Sequence, residues 1–167
     1  GRPDRGMAFR PYYLAKEWID KGHKVTIVGA TYSHIRKGRP AKGEETYENL
    51  KYLWIKTFVY KGNGPGRVIS MMQFITKLIL RAVRISKKYK PDVVIASSTY
   101  PLDIYPAKRI ADISGAKLCF ELHDLWPLSP LELGNYSPNH PFIRIMQRAE
   151  DYYCRHADTV VSMLPLA

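Results

Sequence analysis

Asp92-Val93-Val94-Ile95-Ala96 is a near-continuous apolar run, the pattern of a strand covered on both faces of a parallel sheet. Its neighbours decide the fold. Downstream, residues 103–114 are helical and stop at Gly115. Lys117 to Leu122 is a second strand, residues 141–156 are helical again, and Thr159-Val160-Val161-Ser162 is a short final strand. Upstream, residues 67–88 predict a long helix stopped before Pro91, because the residue before a proline is pushed out of the helical region. Residues 50–58 alternate and are rich in aromatics, which predicts a strand. Lys24 to Ala30 predicts another, and Leu14, Ala15, Trp18 and Ile19 recur at helical spacing over 8–21, with Gly22 as the stop. Residues 31–49 are polar and rich in Lys, Arg, Gly and Glu and are expected as one long loop, with residues 61–66 as a second. Strands alternating with helices in this way predict an α/β protein with a Rossmann-like, doubly wound parallel sheet.

In such a sheet the first strand is central and is followed by a glycine-bearing turn into a helix. Gly1-Arg2-Pro3-Asp4-Arg5-Gly6 resembles that turn, and no residues before it supply the strand. The expectation is a domain over 1–163 that lacks its first strand, with 164–167 opening a linker to a further domain. The 167 residues are 46% apolar and 12% aromatic, an ordinary globular composition that excludes wholesale disorder. Two cysteines cannot form a disulfide scaffold, and Cys119 inside an apolar strand suits a reducing compartment. No run of 18 uncharged apolar residues is present and the opening residues carry no signal-peptide pattern, so a cytoplasmic location is expected. A net charge of +11, from 26 Lys and Arg against 15 Asp and Glu, calls for an anionic partner: nucleic acid, a phosphorylated substrate or a lipid surface.

Ligands of open α/β sheets bind at the carboxyl ends of the strands, which makes four loops candidates. Gly1–Arg10 offers Gly6, Arg5, Arg10 and the N–H groups of a helix start to an anion; it does not match G-x-G-x-x-G and reads equally well as a simple turn. Ser97-Ser98-Thr99-Tyr100-Pro101 sets hydroxyls beside a strand end, suited either to sugar or phosphate oxygens or to helix capping, with Asp103 as a rival cap. In Glu121-Leu122-His123-Asp124-Leu125-Trp126-Pro127 an imidazole and a carboxylate emerge just after an apolar strand, where they can bind substrate hydroxyls, steady a developing charge or accept a proton. The alternative there is a local turn, and position favours chemistry. The segment from Leu128 to Pro141, with Glu132, Gly134 and Asn135, is a lid, an acceptor-facing loop or a mere connection. The histidines and cysteines show no metal-ligand spacing, so no metal is expected, and no P-loop or G-x-S-x-G elbow occurs.

On the helix over 67–88, Ser70, Gln73, Lys77, Arg81, Arg84 and Lys88 form a narrow polar stripe, and most of the remaining circumference is apolar. Either this is a core helix with a solvated basic edge, or part of the apolar arc lies in an anionic lipid interface, with Arg67, Lys77, Arg81, Arg84 and Lys88 at the membrane surface. Two other readings of the whole chain stay open at this point. A basic nucleic-acid-binding α/β domain fits the charge but lacks a recognition motif. A dinucleotide-dependent enzyme fits the sheet but lacks the glycine fingerprint.

Several segments together resemble family-4 glycosyltransferases. They are Gly6-Met7-Ala8-Phe9-Arg10-Pro11-Tyr12-Tyr13-Leu14-Ala15-Lys16, Gly22 to Val28, Tyr32-Ser33-His34, Tyr60 to Gly64, Pro91 to Ser98, His123 to Pro127 and Leu131 to Gly134. Within that family the chain is similar to bacterial enzymes resembling N-acetylfucosamine transferases of surface-polysaccharide synthesis. The resemblance implies a GT-B architecture of two Rossmann-like domains facing a cleft, this chain being the N-terminal, acceptor-side half. It implies retaining, metal-independent transfer with no cofactor, the nucleotide-sugar being a co-substrate held by the other domain through a pair of glutamates spaced E-x7-E. No such pair occurs here. It also implies a lipid-linked saccharide acceptor and attachment to the inner face of the cell membrane, and no nucleic-acid partner. Carried over residue by residue, Gly6 belongs to the loop near the donor phosphates. Ser98, Thr99 and Tyr100 lie along the acceptor side, and His123 and Asp124 beside the reacting centre. The branch more often has Arg where His123 stands.

Overall fold

The computed structural model describes residues 2–6, 9–34, 36–62 and 64–164, apart from the side chain of Ser98. The chain divides into two compact units, Gly1–Lys77 and Leu78–Ala167, and each has its own three-stranded sheet. Parallel strand pairs with flanking helices place the protein in the Rossmann-like α/β class.

In the first unit, α1 (Arg10–Asp20) is followed by β1 (Thr26–Ala30), β2 (Gly43–Tyr47) and β3 (Leu50–Ile55). β3 is central, parallel to β1 and antiparallel to β2. Strand alternation puts Leu50, Tyr52 and Trp54 on one face, where they bury against Tyr12 and Ala15 of α1. The Tyr52 and Trp54 rings stack with centroids 5.1 Å apart. Gly29 of β1 faces that stack, and a Cβ there would lie 2.9 Å from the Trp54 ring. Only glycine leaves the indole its place.

Residues 31–49 are not one loop, because β2 lies within them. Its sequence, Gly43-Glu44-Glu45-Thr46-Tyr47, has no apolar run to announce a strand. It is an edge strand, and charged side chains suit an edge because they discourage pairing with other chains. The turn to β3 runs through Glu48 and Asn49, with φ of 47° and 67°. A two-residue hairpin needs that left-handed backbone, and it forms here without the usual glycine. The β3 strand also stops at Ile55 rather than running to residue 58.

The unit boundary falls within α2 (Pro65–Tyr89). Met71, Ile75, Leu78, Ala82 and Ile85 are its buried seam. The polar stripe does not behave as a uniformly solvated edge. Ser70 is buried, and Lys77 Nζ donates to the Lys56 carbonyl at 2.7 Å. The exposed positions include Ile69, Met72, Leu80 and Val83. Apolar residues encircle so much of this helix that periodicity alone does not single out the face that packs.

The second unit continues with β4 (Val93–Ser98), α3 (Ile104–Ser114), β5 (Lys117–Leu122), α4 (Leu128–Gly134), α5 (Pro141–His156) and β6 (Thr159–Ser162). The strands are parallel in the order β4-β5-β6. Ala96, Leu118, Phe120 and Leu122 share the buried face, and Phe120 stacks on Tyr153 of α5 with centroids 3.8 Å apart. Ser86 Oγ donates to the Ile110 carbonyl at 3.2 Å, tying the last turns of α2 to α3. Gly115 ends α3 in the left-handed conformation, φ 69°, that this cap requires. The segment after Pro127 is partly helical, and α5 is capped by His140, whose Nδ1 accepts from the Phe142 N–H at 3.2 Å. Among the described residues no helix is long and apolar enough to cross a membrane.

Candidate functional site

The site is built by strand register. β4 and β5 run parallel with Ser97 opposite Glu121 and Ser98 opposite Leu122, so both chains leave the sheet at the same carboxyl rim. Because side chains alternate along a strand, Ser97 and Glu121 project to one face while Phe120 and Leu122 enter the core on the other. Ser97 Oγ donates to Glu121 Oε2 at 2.5 Å. His123 Nε2 stands 2.9 Å from that same oxygen and 3.1 Å from Ser97 Oγ. Glu121 is only 7% exposed, and a carboxylate so buried needs donors aimed at it. The Cys119 thiol, two residues earlier on β5, is pushed up by burial and by the charge of Glu121.

Beyond the strand ends the two loops converge on a small recess. Thr99 and Tyr100 line it from the β4 side, and His123, Asp124 and Trp126 from the β5 side. Phe120 and Tyr153 form its apolar floor, and burial pushes the Tyr153 phenol well above its ordinary range. Asp124 is exposed, so its carboxylate is open to a ligand. Trp126 is half-buried, edge-on to Phe142 with centroids 5.8 Å apart, and its bond to Pro127 is cis. Asp103 occupies the α3 cap position without a side-chain cap bond. The recess has no room for a water molecule, so it marks where the two loops meet rather than a formed cavity. Its polar rim and aromatic floor are the chemical types that contact sugars, whose hydroxyls need partners while their ring carbons need apolar contact.

The glycine loop belongs to the first unit. Gly6 has φ 65°, and the loop is tied down by Lys37 N–H donating to the Arg5 carbonyl at 2.8 Å. Arg2, whose side chain is 5% exposed, is held by Asp4 and by Glu45, each at 2.6 Å. Arg5 reaches the same Glu45 oxygen at 3.3 Å, and Trp54 Nε1 donates to the other at 2.6 Å. Burial pushes the Glu45 carboxyl up, but these donors outweigh it and hold it below its ordinary value. Arg36 donates to the Ala30 carbonyl and covers the Trp54 ring. Burial, then the like charge of Arg5, lowers its pKa.

The rim therefore gathers Thr99, Tyr100, His123, Asp124 and Trp126 around one recess. Glu132 is exposed on α4 and does not line it. Arg5, Gly6 and Arg10 sit in the first unit and Arg10 opens α1. On α2, Arg81, Arg84 and Lys88 are exposed, whereas Arg67 and Lys77 are half-buried. Met7 and Ala8, the Ser98 side chain and residues 165–167 lie outside the described residues. Ser97 and Glu121 open two of the candidate loops, but their sequence assigns neither of them to the other or to His123. Glu121 carried a signal, an acid inside the otherwise apolar run Leu118-Cys119-Phe120-Glu121-Leu122, but its partner across the strand depends on register.

Parallel strands that deliver polar loops to a shared carboxyl rim are the arrangement of the Rossmann-like class, in which that rim is the usual place for a ligand. The model of the family described as Glycosyltransferase Family 4 matches residues 5–163, and the chain belongs to that family. No curated protein matches the chain. Membership favours glycosyl transfer over the nucleic-acid and dinucleotide readings of the same charge and sheet.

Proposed function

We propose that residues 1–163 are the acceptor-side domain of an enzyme that moves a sugar from a nucleotide-sugar to a lipid-linked saccharide, with 164–167 opening the linker to a donor-binding domain. The observation that carries this reading is the recess, in a family-4 chain, around which Thr99, Tyr100, His123, Asp124 and Trp126 converge. The chemistry in this reading is like that of the N-acetylfucosamine transferase-like enzymes of bacterial surface-polysaccharide synthesis, a retaining, hexosyl-type transfer that needs no metal or cofactor. In this reading the nucleotide-sugar is gripped by the other domain, on which turnover depends.

In that transfer the bond from the anomeric carbon to the diphosphate breaks as the acceptor oxygen attacks from the same face. Asp124 binds the acceptor hydroxyl or takes its proton, and His123 lies beside the reacting centre. Thr99 and Tyr100 contact the acceptor, Trp126 supplies apolar wall, and Gly6 with Arg10 faces the developing phosphate charge, Arg5 being committed to Glu45. The acceptor's lipid places the enzyme on the inner face of the cell membrane. Exposed Leu80 and Val83 beside Arg81, Arg84 and Lys88 support an attachment through α2 to an anionic surface.

The test uses the full-length enzyme with a panel of radiolabelled nucleotide-sugars and extracted bacterial lipids as acceptors. One donor is expected to label the lipid fraction. Asp124→Ala is expected to cut labelling by about 10²–10⁴-fold, the range for loss of a general acid or base, with an unchanged melting temperature. Native labelling by that variant removes Asp124 from the mechanism.

A further inference from the structure

The mutual distances at the β4–β5 rim specify more than proximity. Three atoms, Ser97 Oγ, Glu121 Oε2 and His123 Nε2, lie within 2.5, 2.9 and 3.1 Å of one another, and the protons between them have one arrangement that satisfies every pair. A carboxylate only accepts, so the 2.5 Å contact commits the Ser97 hydroxyl proton to Glu121. The 2.9 Å contact then needs a proton on His123 Nε2, which also points to the Ser97 oxygen. The opposite tautomer sets the Nε2 lone pair against Glu121 Oε2. If Ser97 turned its proton to the ring instead, its own oxygen would face that carboxylate without a proton. Both recorded hydrogen bonds of His123 are to Nε2, and Nδ1 has no hydrogen-bond partner among the described residues.

We infer that Ser97 and Glu121 are positioning residues that hold the neutral His123 ring in its Nε2–H tautomer, leaving the Nδ1 lone pair as an acceptor for a hydroxyl of the bound sugar. This rests on reading the recess as the place of glycosyl transfer. Neither Ser97 nor Glu121 lines the recess, whereas His123 does, so both act through the ring. The device also explains an acid within a core strand. Glu121 is buried at the cost of desolvation, and its hydrogen bonds orient an imidazole whose own side chain is 18% exposed. A histidine made to accept discriminates in favour of substrates that present a hydroxyl proton at that point, because an analogue without one leaves the acceptor unpaired.

The experiment labels the histidine rings of the full-length protein with ¹⁵N and reads the neutral tautomer at alkaline pH, His123 being assigned by the resonance missing from His123→Asn. The native protein is expected to show Nε2–H. In Glu121→Gln, whose amide can donate to Nε2, the ring is expected to move towards Nδ1–H. Turnover should fall by roughly 10- to 100-fold, the scale of a misplaced group, with the donor KM within about twofold. Ser97→Ala is expected to lower turnover in the same direction and Ser97→Thr, which keeps the hydroxyl, to restore it; this pair also serves if Glu121→Gln fails to fold. A native ring in the Nδ1–H form overturns the inference. So does native turnover in Glu121→Gln and Ser97→Ala while His123→Asn is inactive. If His123→Asn itself turns over normally, the placing of transfer at this rim falls, together with the sugar-binding role given to Nδ1.

Discussion

The glycine loop of the first unit and the carboxyl rim of the second are both rich in charge, and they use it differently. Around Glu45 the charges close on one another. Arg2 and Arg5 share its carboxylate and that of Asp4, the Trp54 N–H donates to Glu45, and the guanidinium of Arg2 is almost sealed from water. Around Glu121 the network is also closed at its inner end, but it stops at His123, which with Asp124 borders a recess. A charged cluster that is internally satisfied is part of the fold. One that leaves valence at a surface is available to a ligand.

The largest effect expected from this contrast is on stability in the first unit. Glu45→Ala removes one of the two carboxylates that hold a buried guanidinium and leaves an indole donor unpaired, and should cost about 3 kcal/mol in urea unfolding. A loss under about 1 kcal/mol would mean the cluster is a surface decoration and the contrast fails. The same pairs set an acid dependence. Arg2 lowers the carboxyl of Asp4, and the donors around Glu45 outweigh its burial. Groups lowered in the folded state stabilise it above their unfolded values and lose that contribution as pH falls through the folded ones. The urea midpoint should therefore drop as pH falls below about 4, less steeply in Glu45→Gln.

Next in size is Gly29→Ala, expected to cost about 2 kcal/mol by thermal unfolding because the added methyl meets the ring of Trp54, which is itself buried. A neutral result would show the first unit's core to be looser than its stacked rings suggest. Smaller still is Arg84→Ala, which should weaken co-sedimentation with phosphatidylserine vesicles by about fivefold, from about 1 kcal/mol per basic residue near an anionic surface. Unchanged sedimentation removes α2 from membrane contact. The smallest effect is Asp124→Ala on melting, within about 0.5 kcal/mol of native for an exposed side chain. A large destabilisation there would make Asp124 part of the fold, as Glu45 is.

The second unit was far more legible than the first. Apolar runs at Val93–Ala96 and Lys117–Leu122 announced their strands, but β4 is not covered on both faces as its apolar run predicts: Ala96 is buried while Val93 and Ile95 are exposed. β2 was hidden because an edge strand is free to be polar, and its hairpin turn uses Glu48 and Asn49 rather than a glycine pair. The candidate site was half-visible. His123 and Asp124 stand out as polar residues just past a strand, and the structure brings them to Thr99, Tyr100 and Trp126. Ser97 and Glu121 lie 24 residues apart in sequence, and nothing local in either segment says that they touch.

Alternation of apolar runs and helical spacing determined the α/β class, the order of most elements and the rim on which polar residues cluster, because burial of side chains imposes its period on the chain directly. Tertiary structure alone decided which strand lies beside which, in what register, and so which carboxylate meets which imidazole. Those pairings depend on distances between segments that share no local pattern, and a shift of one residue in β4 against β5 would turn Ser97 away from Glu121 while leaving every local signal unchanged.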